Sequence, residues 1–330
     1  MGSFVRSLTP GQQVSLLFVA VFGLLTLATV VQVLLSLREK HHDIDADAAR
    51  IRTQRTLDNQ ALLRTSWIMA IVFCVGWAAG PRVAIVLFGL VSFFVLREFI
   101  SLSPTRRSDH RSLVLAFFVV LPLQYLLVWG GHYNLFTVFI PVYVFLALPV
   151  ASALGNDPQR FLERNAKLQW GIMVCVYGMS HVPALMVLNF PRFTGRNAFL
   201  VFFLVLVVQT CMLVQHLVAR RLQQPVAPDI SASFHWRSWA AGLAAGGLLG
   251  ALLAGFTPFV PGQALGMALI ACAAGSLGHL VMKAIKRDRG VTDWGGGRSV
   301  TGASGLLDRT DALCFAAPVF FHSVRWYFKL

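Results

Sequence analysis

Long apolar segments dominate this chain and restrict the folds that it can adopt. Of its 330 residues, 56% are hydrophobic and only 13% are charged, and the mean hydropathy is +0.67. Soluble domains carry about 25% charged residues, so the composition excludes an ordinary soluble protein. We therefore predict an all-α, polytopic integral membrane protein with about 8–10 transmembrane helices.

The sequence contains ten apolar segments, and most of them reach the roughly 20 residues that a bilayer requires. Two neighbouring segments, 67–80 and 83–96, are shorter. They are interpreted either as a tight pair joined at Gly80-Pro81 or as one kinked or re-entrant unit, which leaves the helix count open. The ten segments are 14–37, 67–80, 83–96, 112–130, 133–154, 170–188, 197–218, 239–257, 263–285 and 312–328.

Basic side chains are concentrated in the loops on one side of this predicted bundle. These five loops hold 21 of the 28 Lys and Arg residues, whereas the opposite loops and both termini hold 5. The positive-inside rule then places the basic loops in the cytoplasm and both termini outside. Topology and anionic lipid headgroups account for the net charge of +14. The basic loops are 38–65, 97–111, 155–169, 219–237 and 286–311.

The chain is organised as one membrane domain, 67–330, after an N-terminal part, 1–66, with one transmembrane helix and a cytosolic linker. The first apolar segment is too long for a typical signal peptide, so it is interpreted as a retained helix. All five cysteines fall in apolar segments without a Cys-x-x-Cys pair and are interpreted as packing residues. Gly242, Gly246 and Gly250 are spaced for close helix packing. No aromatic and basic recognition module is present, so nucleic acid is excluded as a partner.

One stretch near the C-terminus, from Lys283 to Asp311, combines the residue types that hold a metal and a polyphosphate at a membrane surface. Basic side chains can face phosphate, acids can bind a hard cation through oxygen, and glycines let backbone amides approach. Lys283 and Lys286 are three residues apart, as are Asp308 and Asp311, so each pair shares a face if its segment is helical. His279 extends the lysine stripe by one turn. A charged loop that serves only topology, with snorkelling lysines, is the open alternative.

The same stretch resembles the C-terminal signature of the phosphatidate cytidylyltransferases, also called CDP-diglyceride synthases. The likeness covers roughly residues 85–325 and extends to motifs of a bacterial branch of that family. The signature residues are Lys286-Arg287, Gly290, Asp293 and Asp308-Arg309-x-Asp311. The further motifs are Arg97-Glu98-Phe99, Pro104-Thr105-Arg106-Arg107, Arg160-Phe161-Leu162-Glu163-Arg164 and the run from Cys314 to Phe321.

The resemblance implies a polytopic enzyme that transfers a cytidylyl group from CTP to phosphatidate and releases pyrophosphate. It implies a requirement for Mg²⁺, with a second cation near it. It also implies a multi-pass protein of the bacterial inner membrane whose site faces the cytoplasm. The partners expected on this basis are phosphatidate, anionic lipids and CTP. The oligomeric state stays open, with a homo-oligomer as one alternative.

Carried over residue by residue, the resemblance implies three sets of site residues. The expected metal ligands are Asp293, Asp308 and Asp311. The expected catalytic residues, directed toward phosphate, are Lys286, Arg287 and Arg309. The residues expected to bind the nucleotide are Ser231, Trp236 and Lys283.

The chain departs from the family pattern at several positions. Ala303-Ser304-Gly305 stands where the family has His-Gly-Gly, and Thr292 and Lys283 stand where it has a lysine and a serine. Cys211-Met212 replaces a Ser-Asp pair, and Phe234 replaces a lysine. Loss of a cation ligand or of a phosphate contact weakens transition-state stabilisation by about 3 kcal/mol per group, by analogy with one oxyanion-type donor.

Two functions therefore stay open at the level of sequence. One is an active cytidylyltransferase, and the other is a catalytically lapsed relative that binds lipid or nucleotide or supports a partner enzyme. A transporter is disfavoured, because transporters place ionisable groups near the bilayer midplane and the charges here gather at the predicted cytosolic ends.

Overall fold

The structure is a computed structural model that describes most of the chain from Gly80 onward. The described ranges are 80–102, 106–188, 190, 197–231, 234–291, 294 and 305–329, together with residues 19, 23, 26, 29, 30, 67, 71, 74, 75 and 79. The predicted boundary between residues 66 and 67 and most of segments 14–37 and 67–80 lie outside the described residues.

Eight long helices form the described part of the protein. Seven of them, α1 to α7, are long and apolar enough to cross a membrane, and α8 adds 22 residues. Within the described ranges no β-strand is present, so the predicted all-α, polytopic class is confirmed. The helices are α1 Pro81–Ser101, α2 Arg107–Trp129, α3 Tyr133–Ala153, α4 Phe161–Val187, α5 Ala198–Ala219, α6 Trp236–Phe256, α7 Pro261–Asp288 and α8 Leu307–Phe328.

The first described helix corrects the predicted segment 83–96. It begins at Pro81, directly after Gly80, whose φ of 91° is in the left-handed region that favours glycine. It then continues for 21 residues, through Glu98, to Ser101. The prediction stopped too early because it treated charged residues as the end of a span. Glu98 is buried in the last turn instead, so this segment is a full-length helix.

The fourth helix corrects part of a predicted loop. It begins at Phe161, so most of the loop predicted at 155–169 is helical. Glu163 and Lys167 lie one turn apart on the exposed side of this helix and form an ion pair. Such exposed pairs contribute only about 0.3–0.5 kcal/mol, so the pair does not explain why the helix starts there.

Small residues allow α5, α6 and α7 to pack closely, which confirms the prediction from the glycine spacing. A side chain at Gly242 would lie 2.7 Å from the carbonyl oxygen of Cys211 on α5, and one at Gly246 would lie 3.0 Å from that of Val207. At Gly250 it would lie 3.1 Å from the carbonyl oxygen of Ala264 on α7. Four cysteines are buried as free thiols within the described bundle, as the packing interpretation requires: Cys175, Cys211, Cys272 and Cys314.

Gly178 sets the distance between α4 and α8. It closes a π-helical turn, Met173–Gly178, and a methyl group at this position would overlap the carbonyl oxygen of Cys314 on α8. The two helices therefore meet backbone to backbone near the centre of the bundle.

We predict that Gly178→Ala lowers the free energy of unfolding, because it forces α4 and α8 apart. Overpacking of this kind costs about 1–3 kcal/mol. Thermal denaturation of the purified protein in detergent measures the effect. Gly266→Ala on α7 is the matched control, because its added methyl group meets no atom within 4 Å. Equal melting temperatures for the two variants would contradict the predicted contact.

Asp157 joins the ends of α2 and α4 that lie in the predicted cytosolic loops. One carboxylate oxygen accepts from Arg164 at 2.7 Å and from the Ser108 hydroxyl at 2.9 Å, and the other accepts the backbone N–H of Gln159 at 3.1 Å. Arg164 is buried and also lies 3.1 Å from Asp109. Arg106 and Arg107, the described part of one motif that carried the family resemblance, thereby lie next to the second motif, 160–164. The Gln159 N–H, the Ser108 hydroxyl and the Arg164 guanidinium lower the pKa of Asp157 to about 2.

We predict that the stabilising effect of Asp157 depends on pH only under acidic conditions. Its folded-state pKa lies below the unfolded value, so its contribution is complete above about pH 4 and is lost as the pH falls toward 2. Melting temperatures of the wild-type protein and of Asp157→Asn should differ by a constant amount from pH 5 to 8. The difference should shrink below pH 4. A difference that shrinks near neutral pH would show that another group is responsible.

Candidate functional site

Two acids on α8 each contact a basic side chain on α7. Lys286 Nζ donates to Asp308 Oδ1 at 2.6 Å, and deeper in the bundle His279 Nδ1 lies 2.7 Å from Asp311 Oδ2, one turn further along α8. The Lys286 and Asp308 side chains are each 12% exposed, and that of Asp311 is 3% exposed. Removing one partner from a buried pair of charges costs about 3–5 kcal/mol. The contacts therefore hold α7 and α8 in one register.

The remaining carboxylate oxygens bind backbone N–H groups. Asp308 Oδ2 accepts the N–H of Trp294 at 2.8 Å, and Asp311 Oδ1 accepts the N–H of Ala312 at 2.6 Å. Trp294 is buried, and this contact holds it against the first turn of α8. All four oxygens of the two acids thus have partners within the protein.

The third residue of the predicted stripe, Lys283, contacts a different segment. Its Nζ donates to the Ser231 hydroxyl at 3.2 Å. Ser231 is 4% exposed and forms an antiparallel bridge with Ala227 in the connection between α5 and α6. The prediction that His279, Lys283 and Lys286 share one face of a helix is confirmed, since each of them reaches inward to a separate partner.

Three of the other predicted site residues, Trp236, Arg287 and Arg309, lie on α6, α7 and α8. Trp236 begins α6 and is 58% exposed, and its ring contacts Phe234 and Trp239 at centroid distances of 5.7 and 5.8 Å. Arg287 is exposed at the end of α7, and Arg309 is half-buried beside Asp308. Asp293 lies outside the described residues. The roles of these four residues stay predictions.

Glu98 is a site residue that sequence reasoning left without a role. Its carboxylate is buried, and Oε2 accepts the backbone N–H of Leu307, the first residue of α8, at 2.9 Å. A carboxylate at this position satisfies an otherwise orphaned N–H and interacts favourably with the positive end of the helix dipole. The next residue, Phe99, stacks on Trp294 with ring centroids 5.4 Å apart. The end of α1 thus supports both segments that meet at Asp308.

Gly305 allows these segments to approach. A methyl group there would overlap the carbonyl oxygen of Trp294 and lie 2.9 Å from Glu98 Oε2. This glycine is the last residue of Ala303-Ser304-Gly305, where the chain departs from the family's His-Gly-Gly. Gly305 matches the last glycine of the family's motif, and it is the residue that the close contact with Trp294 and Glu98 requires. The likeness of Arg97-Glu98-Phe99 to a family motif was the signal in the sequence that pointed to Glu98. It could not identify the partner of Glu98, because Leu307 is 209 residues away.

We predict that Glu98→Ala destabilises the protein, because the first turn of α8 loses its buried acceptor. Loss of a helix cap costs about 0.5–2 kcal/mol. Glu98→Gln should retain most of the stability, since the amide oxygen can accept the same N–H. Melting temperatures of both variants in detergent test this. Equal losses for alanine and glutamine would mean that the negative charge, not the hydrogen bond, is what α8 requires.

The described residues do not complete a metal site by themselves. Across the ranges that the structure describes, no three His, Cys, Asp or Glu side chains are grouped closely enough to hold a metal ion. Asp308 and Asp311 offer oxygen donors of the type that Mg²⁺ prefers, but each is bonded to a basic side chain. The predicted magnesium site, which also includes Asp293, stays a prediction.

Fold and site together define a multi-pass helical membrane protein with a buried cluster of acids and bases at one end of its bundle. A model of the cytidylyltransferase family matches residues 60–327. The chain therefore belongs to the cytidylyltransferase family, as the sequence resemblance indicated.

Two relatives illustrate this membership. The chain is 35% identical over 271 residues to the uncharacterized protein YnbB of Escherichia coli (strain K12), which covers 80% of this chain and 86% of that protein. It is 37% identical over 101 residues to the phosphatidate cytidylyltransferase of Mycobacterium leprae (strain TN), which covers 29% of this chain and 31% of that protein.

Proposed function

We propose that this protein is a phosphatidate cytidylyltransferase that converts CTP and phosphatidate into CDP-diacylglycerol and pyrophosphate. The observation that carries the proposal is the convergence of the α7 stripe with the acids of α8 and with Ser231. Family membership and the partial likeness to the M. leprae enzyme support the choice of substrates.

The reaction suits a site that works mainly by positioning and charge. A phosphate oxygen of phosphatidate forms a bond to the α-phosphorus of CTP. The bond from that phosphorus to the bridging oxygen breaks, and pyrophosphate leaves with the electron pair. The attacking phosphate is already ionised, so it needs little help from a general base. Charge neutralisation and alignment then supply most of the rate.

In this proposal the lysines of α7 serve the phosphates. Lys283 and Lys286 lie one turn apart, with their ammonium groups directed to Ser231 and to Asp308. A triphosphate offers negatively charged oxygen acceptors for an ammonium group, so Lys283 would exchange the Ser231 hydroxyl for a phosphate oxygen. Arg287 and Arg309 would contribute further positive charge. Mg²⁺ belongs to the proposal as a required ion, and when bound it would offset charge on the phosphate oxygens.

The proposed location is the bacterial inner membrane, with the site facing the cytoplasm. Glu98, Ser231 and Trp294 belong to three different basic loops of the sequence-based topology, and all three meet at the α7–α8 cluster. A cytosolic face would give the site access to CTP. The basic surface around it would favour anionic lipids such as phosphatidate.

Turnover tests the proposal directly. Purified protein in nanodiscs is incubated with labelled CTP, phosphatidate and Mg²⁺, and CDP-diacylglycerol is measured. We expect metal-dependent product that falls by about 100-fold or more in Asp308→Asn. Glu163→Gln is the matched control, because it also removes an acid paired with a lysine, but on the exposed side of α4. Absence of product from the wild-type protein, beside an active control synthase, would reject the enzymatic function.

The second candidate is a lapsed relative that binds nucleotide or lipid without turnover. Two observations favour it: Phe234 is 3% exposed and Cys211 is fully buried, so apolar packing occupies places where the family has a lysine and a serine. Thermal stabilisation by CTP and Mg²⁺ without product would identify this function. Lys283→Gln should then weaken the CTP effect, and Lys167→Gln should leave it unchanged. No stabilisation by CTP or by phosphatidate would exclude both candidates.

A further inference from the structure

A cavity of about 440 Å³ opens at the end of the bundle opposite to the candidate site. Asp311 and Arg325 lie on the same helix, and 14 residues at 1.5 Å per residue separate them by about 21 Å. The cavity therefore has no part in the chemistry proposed above. Its lining residues are Gly131, His132, Tyr133, Asn134, Leu135 and Arg325.

The cationic wall of this cavity is held in place by aromatic rings. The Arg325 guanidinium lies over the rings of Tyr133 and Phe321, 5.3 and 5.8 Å from their centroids. Tyr133 donates its hydroxyl hydrogen to the carbonyl oxygen of Val187 at 2.7 Å. Because the supporting ring is fixed, a ligand would meet a preorganised guanidinium instead of a freely moving side chain.

In the sequence-based topology, the segments assigned to this face carry positive charge and no acidic side chain. Together they hold five Lys and Arg residues, and Arg325 on α8 adds a sixth. All 14 Asp and Glu residues of the chain belong to the basic loops at the other face. A ligand at this face thus meets an environment that favours anions. The segments are 1–13, 81–82, 131–132, 189–196, 258–262 and 329–330.

Exposed aromatic residues place the cavity at the depth of lipid headgroups. Trp129, Trp326 and Tyr327 are 47%, 82% and 47% exposed around this end of the bundle. Such residues concentrate where the hydrocarbon core meets the headgroups, since their rings are apolar and their N–H or O–H groups are polar. A group that enters the cavity from the membrane would be the phosphate of a phospholipid.

We propose that this cavity binds the phosphate of an anionic phospholipid from the leaflet opposite to the candidate active site. The planar guanidinium of Arg325 matches the oxygens of a phosphate, and His132 and Asn134 line the same cavity with further donors. This site is independent of the proposed enzymatic function, because it uses none of the residues of the α7–α8 cluster.

The test compares lipid-induced stabilisation of full-length variants in a neutral detergent. The probes are short-chain phosphatidylglycerol, the matching phosphatidylcholine and inorganic phosphate, and the readout is the melting temperature as a function of probe concentration. The test variant is Arg325→Gln. The matched control is Arg82→Gln, because Arg82 also stacks on an aromatic ring, 5.6 Å from the Trp129 centroid, but does not line the cavity.

We expect phosphatidylglycerol to stabilise the wild-type protein and Arg82→Gln alike, and its apparent Kd to rise about tenfold in Arg325→Gln. Lipid that binds to the basic loops contributes equally in all three proteins, so the difference isolates the cavity. An unchanged response in Arg325→Gln, or an equal loss in both variants, would overturn the proposal. Inorganic phosphate that reproduces the Arg325-dependent shift would overturn the assignment to a lipid.

Arg325→Lys keeps the comparison decisive if the glutamine variant does not fold. This variant retains the charge but loses the planar, stacked guanidinium. An apparent Kd above that of the wild-type protein supports recognition of phosphate by the guanidinium. A Kd equal to that of the wild-type protein would show that Arg325 contributes only charge to the surface, and would overturn the site as a specific one.

Discussion

The buried contact between Lys286 and Asp308 is the interaction on which the rest of the site depends. Charges at the end of an apolar bundle are costly unless they are paired, so this contact fixes how α7 and α8 align. The contact of His279 with Asp311 repeats the arrangement deeper in the bundle. With the register fixed, the second oxygen of Asp308 is directed to the N–H of Trp294, which holds Trp294 at the site.

A carboxylate from the first described helix completes this arrangement. Glu98 accepts the first N–H of α8, and Phe99 stacks on Trp294, so α1 also supports the cluster. Gly305 makes the contact feasible by leaving room beside the Trp294 carbonyl. The result is a site in which acids, bases and backbone donors are already directed inward, as expected where charge on phosphate groups must be neutralised without large rearrangement.

Sequence reasoning succeeded where the signal was local and periodic. The hydropathy pattern predicted the membrane class, the glycine spacing predicted the close packing of α6, and the three-residue and four-residue spacings predicted the α7 stripe. It was wrong at helix ends, where 83–96 is really Pro81–Ser101 and much of 155–169 is helical. A prediction from hydropathy alone ends a membrane span at the first charged residue. In the structure a helix can continue through charged residues when their side chains are buried against a partner or cap a neighbouring helix.

The sequence by itself determined that the chain is an all-α membrane protein, which residues share a helix face, and which family it belongs to. Only the tertiary structure decided the partners: Asp308 with Lys286, Lys283 with Ser231, and Glu98 with the start of α8. It also decided the surroundings of Trp236, which is exposed at the start of α6. The physical reason is that spacing along a helix specifies only the side of the helix from which a side chain projects. A contact between residues as distant in sequence as Glu98 and Leu307 depends on how whole helices pack.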